Sequence, residues 1–294
     1  PNFIKKIASN NMKGSAMTIM EANPIGASCA RVCPTEELCE GACVLHPSTK
    51  PIKIGHLQRY ATDWAMESDC ELVKKGQSNG QKVAIVGAGP AGLSAARELS
   101  RFGYSVTIFE AEAKAGGLGN YGIVSFRLPN DVVDWEVAQV VKLGVDIKTN
   151  TRVGVDISAE EILAQYDSVI LAVGMGAVPN LGIKGEELTG VHDAIEFVKH
   201  TKMGALTEDL VGKRVAVIGA GNTAVDGATC AVRLGAEQVD IIYRRTEKEM
   251  TAYKFEYEFA KQDGVGFKWL TAPKQIIGDK AGKVVGLECV KMKL

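Results

Sequence analysis

A chain of 294 residues holds one large domain or two to three smaller ones. With 46% hydrophobic and 23% charged residues it has the balance of an ordinary globular protein, and its net charge of −1 argues against a nucleic-acid surface. No apolar run reaches the ~18 residues that span a bilayer, and residues 1–20 lack the apolar core of a secretory signal. A cytoplasmic location without membrane association is expected.

In chain order, residues 1–76 read as mostly helical. Phe3, Ile4, Ile7, Met17 and Met20 fall at helical spacing between Asn2 and Met20, with a break expected at Gly14. A cysteine-rich segment follows. Residues 54–74 give another helix, with Leu57, Tyr60, Ala61, Trp64 and Ala65 near one face. The polar run from Lys74 to Gln81 reads as a linker. The pattern then changes to short apolar strands alternating with helices. Strands are expected at Val83–Val86, Ser105–Phe109, Val145–Lys148, Ser168–Val173, Val215–Ile218 and Val239–Tyr243. Helices are expected near 91–101, 131–143, 192–203, 222–234 and 254–262. This alternation predicts an α/β protein with doubly wound parallel sheets. Pro273–Gly278 and Val284–Met292 flank Asp279-Lys280-Ala281-Gly282 as a hairpin. The chain starts at Pro1 rather than Met and stops inside a strand, so it is expected to be a fragment of a longer protein.

An internal repeat carries the first chemical signal. Val83-Ala-Ile-Val-Gly-Ala-Gly-Pro-Ala-Gly matches Val215-Ala-Val-Ile-Gly-Ala-Gly-Asn-Thr-Ala at an offset of 132 residues, which predicts two dinucleotide-binding modules. In the first, Gly87 permits the tight turn, Gly89 lets backbone approach a pyrophosphate and Gly92 lets helix and strand pack closely. The helix N-terminus offers free N–H groups to phosphates. Glu110 ends the next strand, where a carboxylate accepts ribose hydroxyls. The second module has Gly219, Gly221 and Ala224, with Asn222 and Thr223 opening the helix. Its next strand ends in Arg244-Arg245 with no carboxylate in the place of Glu110. Guanidinium groups there favour a 2′-phosphate, hence NADP(H). Alternatively, these arginines form a solvated strand end. A tightly bound FAD in the first module and an exchangeable NADP(H) in the second would pass hydride directly, leaving little acid–base work for the protein. The histidines His46, His56, His192 and His200 have no nucleophile at suggestive spacing, and no catalytic residue is assigned.

Four of the seven cysteines lie at Cys29, Cys33, Cys39 and Cys43. The compact run with Pro34 after Cys33 favours iron–sulfur ligation over zinc, whose cysteines come as pairs separated by a longer loop. Zinc and structural thiols remain open from spacing alone. An iron–sulfur cluster beside a flavin would carry away single electrons.

Cys29-Ala-Arg-Val-Cys33-Pro-Thr-Glu-Glu-Leu-Cys39-Glu-Gly-Ala-Cys43, followed by Pro51-Ile-Lys-Ile-Gly-His-Leu-Gln58, resembles the N-terminal region of dihydropyrimidine dehydrogenases and the small subunit of bacterial glutamate synthase. The resemblance continues through Gly116-Gly117-Leu118, Tyr121-Gly122-Ile123, Phe126-Arg127-Leu128-Pro129 and Tyr243-Arg244-Arg245-Thr246-Glu247, and covers nearly the whole chain. It implies a helical 4Fe-4S domain at 1–76, an FAD-binding domain at 81–185 and an inserted NADP-binding domain at 186–294. Electrons would pass from NAD(P)H to FAD and through clusters to a catalytic partner subunit or domain. By the resemblance Cys33, Cys39, Cys43 and Gln58 are cluster ligands, Cys29 is not, and Gly117, Leu118 and Arg127 contact the flavin. Gln58 favours the dihydropyrimidine type, because the glutamate synthase subunit resembles Glu there. The family has a further cysteine motif upstream and returns to the FAD domain downstream, so the FAD domain is expected to be incomplete here. A flavin-binding redox scaffold without turnover and a zinc-stabilised module at 1–76 are the competing readings.

Overall fold

The computed structural model describes residues 2–45, 48–68, 70–175, 178–204 and 212–293. It divides into two compact units, one of residues 1–120 and 125–176, the other of 121–124 and 177–294.

The first unit begins with helices α1 (Asn2–Ala8), α2 (Met12–Ala22), α3 (Gly26–Val32) and α4 (Ile54–Ser68). The expected break at Gly14 falls instead at Asn10, which takes φ 57°. Asn11 then caps α2 by accepting the Gly14 N–H at 2.9 Å. Asparagine tolerates the left-handed region and offers a capping oxygen, so it outcompetes glycine as the breaker. The expected helix at 54–74 ends at Ser68. Beyond it Leu72 packs with Ala16, Met20 and Ala65, supported by Trp64 and Trp135. The supposed linker is also packed down: Gly76 N–H donates to Ser100 O and Asn79 N–H to Gly103 O.

The sheet of this unit contains β1 (Lys82–Val86), β2 (Ser105–Phe109), β3 (Asp146–Lys148) and β4 (Ser168–Leu171) in the order β3-β2-β1-β4, all parallel. Helices α5 (Pro90–Arg101), the short α6 (Leu118–Tyr121, which ends in the second unit), α7 (Asn130–Val141) and α8 (Ala159–Gln165) connect the strands. Successive residues of β1 face opposite layers. Val83 and Ile85 pack with Leu93, Ala96, Val106 and Val140 on one side, and Ala84 packs with Phe109 and Ile162 on the other. The sequence reading missed α8, although Ser158 and Glu161 form a capping box at its start.

The second unit holds α9 (Ala194–Lys202), β5 (Arg214–Ile218), α10 (Asn222–Arg233), β6 (Gln238–Ile242), α11 (Lys254–Gln262) and β7 (Gly266–Lys268). Its parallel sheet has the order β5-β6-β7. Val225, Ala228 and Ala231 of α10 pack on Val239 and Ile241 of β6 and on Ala260 of α11. The expected hairpin forms from β8 (Thr271–Gly278) and β9 (Val284–Lys291), paired antiparallel. Asp279 shapes its turn by accepting the N–H groups of Ala281 and Lys283, each at 2.9 Å.

Candidate functional site

The first glycine turn lies between β1 and α5. Gly87 has φ 103°, and a side chain there would collide with Ala172 O. A side chain on Gly92 would collide with Gly87 O, so only glycine allows α5 to sit this close to the strand. Gly89 is different. An added Cβ would find nothing nearer than Gly117 Cα at 3.8 Å, leaving a cradle open for a phosphate. Gly89 caps α5 with no side-chain acceptor, so no side chain blocks the first-turn amides. Glu110 is buried at the end of β2. It accepts Ala88 N–H at 2.7 Å on one oxygen and Glu112 N–H at 2.8 Å on the other. The carboxylate therefore braces the turn, and each oxygen keeps a lone pair for a hydroxyl.

The second half of this cradle is the Gly116-Gly117 turn. Gly117 has φ 54°, and a Cβ on it would come within 2.7 Å of Gly89 Cα. Asn120, fully buried, donates from Nδ2 to Ala115 O at 2.6 Å and to Asp134 Oδ1 at 3.0 Å. Both partners only accept, which fixes the amide orientation and leaves Asn120 Oδ1 buried without a partner among the described residues. An orphaned acceptor beside an open phosphate cradle fits a ligand rich in hydroxyl donors, as FAD is. Leu118 is exposed at the start of α6, and Arg127 is half-buried ahead of α7.

The second glycine turn repeats the geometry. Gly219 has φ 110°, and Gly221 caps α10 without a side-chain acceptor. Asn222 accepts Tyr253 N–H at 3.0 Å through Oδ1, and Ala252 N–H donates to Ala220 O at 3.0 Å. The segment before α11 is thus tied to the turn. Asn222 consequently serves the scaffold through its side chain, while exposed Thr223 remains beside it at the helix start. β6 ends at Ile242, one residue earlier than expected, and Arg244 and Arg245 follow, both exposed. Thr246 hydrogen bonds, with the Arg245 charge adding, hold the Glu249 carboxyl below its usual range. Both guanidinium groups are exposed just past the strand end, where they fit an anionic group brought in by a ligand.

The cysteine segment runs from α3 through a series of turns to α4. Cys29 lies in α3 and Cys33 ends it. The Cys33 thiol donates to Cys29, which holds Cys29 down at about 6 against its burial and pushes Cys33 up. Cys39 is exposed and Cys43 half-buried. Gln58, on α4, donates from Nε2 to Gly26 O at 2.9 Å. Gly26 O only accepts, so Gln58 Oε1 is left as the atom able to bind a metal. All seven cysteines are free thiols. Among the described residues, no three His, Cys, Asp or Glu side chains converge as a metal site. The structure therefore joins Cys29 to Cys33 and Gln58 to α3, but does not gather Cys33, Cys39 and Cys43. Their chemistry fits the group nonetheless: three accessible thiols on turns and one free amide oxygen are soft and neutral donors of the type clusters take.

Two buried carboxylates were not legible from the sequence. Glu136 of α7 accepts Ser28 N–H at 2.9 Å and the Ser28 hydroxyl, at the start of α3. Burial pushes it up to about 7, against the Ser28 hydrogen bonds. Glu40 ties the cysteine turns to α4. No local pattern marks either residue, because a lone Glu is the commonest sign of a solvated surface. Among the histidines, His192 is depressed by burial and by the His200 charge and has no nucleophile beside it. His46 lies outside the described residues. Burial raises Cys230 to about 11, as befits a packing thiol.

Two glycine-turn modules behind a helical cysteine segment are the arrangement of a flavin- and nicotinamide-dependent oxidoreductase with an iron–sulfur segment. Residues 81–293 match the pyridine nucleotide-disulphide oxidoreductase family, and residues 1–70 match dihydropyrimidine dehydrogenase domain II, 4Fe-4S cluster. The chain belongs to this family of FAD-, NAD(P)H- and 4Fe-4S-dependent oxidoreductases. It is 38% identical over 278 residues to the NAD-dependent dihydropyrimidine dehydrogenase subunit PreT of Salmonella typhimurium, covering 95% of this chain and 67% of the relative. It is 36% identical over 304 residues to the glutamate synthase [NADPH] small chain of Escherichia coli, covering 100% and 64%. The NADP(+)-dependent formate dehydrogenase subunit beta of Moorella thermoacetica is 36% identical over 320 residues, covering 100% and 44%. The chain thus spans two thirds or less of these relatives. In fold it is similar to Mycobacterium tuberculosis FprA in complex with NADPH, with a TM-score of 0.59, 21% identity and coverage of 73% and 69%. The thioredoxin reductase of T. acidophilum gives a TM-score of 0.55, 24% identity and coverage of 72% and 71%. These relatives bear out the family resemblance, the α/β architecture and the cofactor set read from the sequence. Among the described residues, no helix is long and apolar enough to cross a membrane.

Proposed function

We propose that this chain is the electron-input part of a dihydropyrimidine dehydrogenase-type enzyme, delivering electrons to a catalytic partner subunit or domain in the cytoplasm. The bound cofactors supply hydride acceptance from the nicotinamide and single-electron exit through the cluster. The protein's part is to hold and orient them. Gly87, Gly89, Gly92, Glu110, Gly117, Leu118 and Arg127 would hold FAD, the glycines by close approach and Glu110 by accepting hydroxyls. Gly219, Gly221, Asn222 and Thr223 would take the NADP(H) pyrophosphate, with Arg244 and Arg245 on the 2′-phosphate. Cys33, Cys39, Cys43 and Gln58 would ligate clusters. We assign the three functional segments to 1–76, 81–185 and 186–294.

The observation that carries this reading is the pairing of one carboxylate-ended module with one arginine-ended module behind a cysteine segment. Anaerobic titration of the flavin-loaded protein tests it. NADPH should bleach the visible flavin absorbance, and NADH should do so more weakly. An unbleached flavin would leave the scaffold reading in place of an enzyme. A glutamate synthase small-chain role is the second reading, favoured by the match of that relative over 100% of this chain. Gln58 favours the first. Co-purification of a large amidotransferase subunit alone would reverse the choice.

A further inference from the structure

Residues 246–253 form a strap that returns from the end of β6 to the second glycine turn. β5 and β6 pair in parallel with Ile218 opposite Ile242, so Gly219 and Tyr243 leave the sheet at the same edge. The strap is fixed where it begins. Leu270 N–H donates to Arg245 O at 3.0 Å, Thr271 N–H to Tyr243 O at 2.9 Å, and the Tyr243 hydroxyl to Glu249 O at 2.7 Å. Thr246 and Glu249 close a capping box around one 3-10 turn, Glu247–Glu249. The strap is fixed again where it ends. There Ala252 N–H donates to Ala220 O and Tyr253 N–H to Asn222 Oδ1, each at 3.0 Å. A backbone held at both ends has little freedom left to lose on binding a ligand.

Between these anchors one residue faces outward. Met250 and Ala252 pack in the core of this unit with Ala220, Val225 and Ala260. The backbone at Met250 is extended, with φ −63° and ψ 135°, and side chains alternate along extended chain. Thr251 is the exposed residue between the two packed ones, and its hydroxyl makes no hydrogen bond among the described residues. It stands beside Gly221. Beyond that glycine's chain neighbours, Thr251 Oγ1 is the one described atom within 4 Å of where a Cβ would lie, at 3.4 Å. Gly221 caps α10 with no side-chain acceptor, so the first-turn amides are left for a ligand. At the first turn the neighbour of Gly89 is Gly117 Cα, at 3.8 Å, which offers no polar group. The two turns thus differ in what stands by the glycine that lets a pyrophosphate approach: a carbon at one, an unpartnered hydroxyl at the other.

We propose that Thr251 is a nucleotide-binding residue whose hydroxyl donates to a pyrophosphate oxygen of the dinucleotide held at Gly221, adding a side-chain donor to the amides of α10. This rests on the reading of the Gly219 turn as the NADP(H) site. NAD(H) and NADP(H) share the pyrophosphate and differ at the 2′-phosphate. Thr251 therefore contributes affinity for both nucleotides and does not discriminate between them, whereas Arg244 and Arg245 discriminate.

The test uses oxidised, flavin-loaded protein purified with its partner, and reads the binding of NADP⁺ and of NAD⁺ by isothermal titration calorimetry. T251V keeps the side-chain shape and loses the hydroxyl. It should weaken both nucleotides about tenfold, the scale of one hydrogen bond to a charged group, and leave the ratio of the two affinities unchanged. T251S keeps the hydroxyl and should bind both as the wild type does. G221V is the control for the site, since its side chain would fill the space beside Thr251 on a backbone that is already extended. If the wild type and G221V take both nucleotides alike, the reading of the turn itself falls. If G221V loses them while T251V binds as the wild type, the Thr251 proposal is overturned. It is overturned equally if T251V weakens NADP⁺ alone, or if T251S shares the loss. Should T251V fail to fold, T251A compared with T251S decides by the same criteria.

Discussion

Replacing Glu136 by Gln should remove a pH dependence from the stability of the first unit. Glu136 is 2% exposed and reaches from α7 to the start of α3. Its carboxyl is pushed from 4.5 up to about 7, first by burial and further by the Cys29 charge, with the Ser28 hydrogen bonds opposing. The folded state therefore keeps a proton that the unfolded state gives up between about pH 4.5 and about 7. Glu136's contribution is fully present below the lower value and is lost as the pH rises through the upper one. At 1.36 kcal/mol per unit, the loss across that window is about 3 kcal/mol. E136Q has no proton to lose. Its amide can still accept the Ser28 N–H and donate to the Ser28 hydroxyl. The variant should therefore gain on the wild type as pH rises, by up to about 3 kcal/mol at pH about 8. Urea unfolding of both proteins from pH about 5 to about 8, at unchanged slope, measures the difference directly. Titrating groups that do not couple to Glu136 cancel because both chains carry them, and comparing both proteins in a C29S background removes Cys29, which does couple. Parallel stability curves for wild type and variant would refute the buried-proton reasoning.

Further substitutions separate fold from ligand binding. G89A should leave the fold intact and reduce FAD retention, because the added methyl meets only Gly117 Cα, at an ordinary 3.8 Å, and enters the open cradle; flavin content after gel filtration reads it. G92A should cost roughly 1–3 kcal/mol of stability by overpacking against Gly87 O, read in the same urea assay. R244A with R245A should raise the NADPH KM by about tenfold or more and leave NADH unaffected, since each charge-assisted bond contributes ~1.5–3 kcal/mol. Equal effects on the two nucleotides would return these arginines to a solvated strand end. S158A, which removes the cap of α8, should cost about 1 kcal/mol, seen as a lower urea midpoint with no change in flavin content.

What could be read from the sequence divides along physical lines. The glycine turns were legible because their constraint is local: Gly87 and Gly219 take positive φ within a few residues of the strand that precedes them. The hairpin at Asp279 was legible for the same reason. Glu136 was not, since its partner Ser28 is 108 residues away and nothing near either residue reports the pairing. The cysteine segment falls between. Spacing alone favoured an iron–sulfur cluster over zinc without excluding zinc, and the family resemblance named the 4Fe-4S type; the turns around Thr35 O and the contact to α4 are contained in no spacing rule. The Asn10 break was misplaced to Gly14 because glycine was weighted for its freedom alone, while Asn11 supplied a hydrogen bond as well.

The two glycine turns, alike in sequence, differ in how firmly the protein closes around them. At the first, the space behind Gly87 is occupied by Ala172 O, Glu110 is buried with both oxygens bound to backbone, and Asn120 holds the facing Gly116-Gly117 turn. At the second, a Cβ on Gly219 would meet only Ala224 Cβ at 3.9 Å, and the arginines after β6 are exposed. A preformed, buried donor and acceptor set loses little freedom on binding and releases its ligand slowly, whereas exposed side chains must be ordered anew at each encounter. That contrast supports a resident dinucleotide at Gly87 and an exchanging one at Gly219, the division of labour a hydride relay requires. It also makes a kinetic prediction. Dilution into nucleotide-free buffer should strip NADP(H) from the protein long before it strips FAD, and release of both at similar rates would remove the structural basis for assigning the two turns unequal roles.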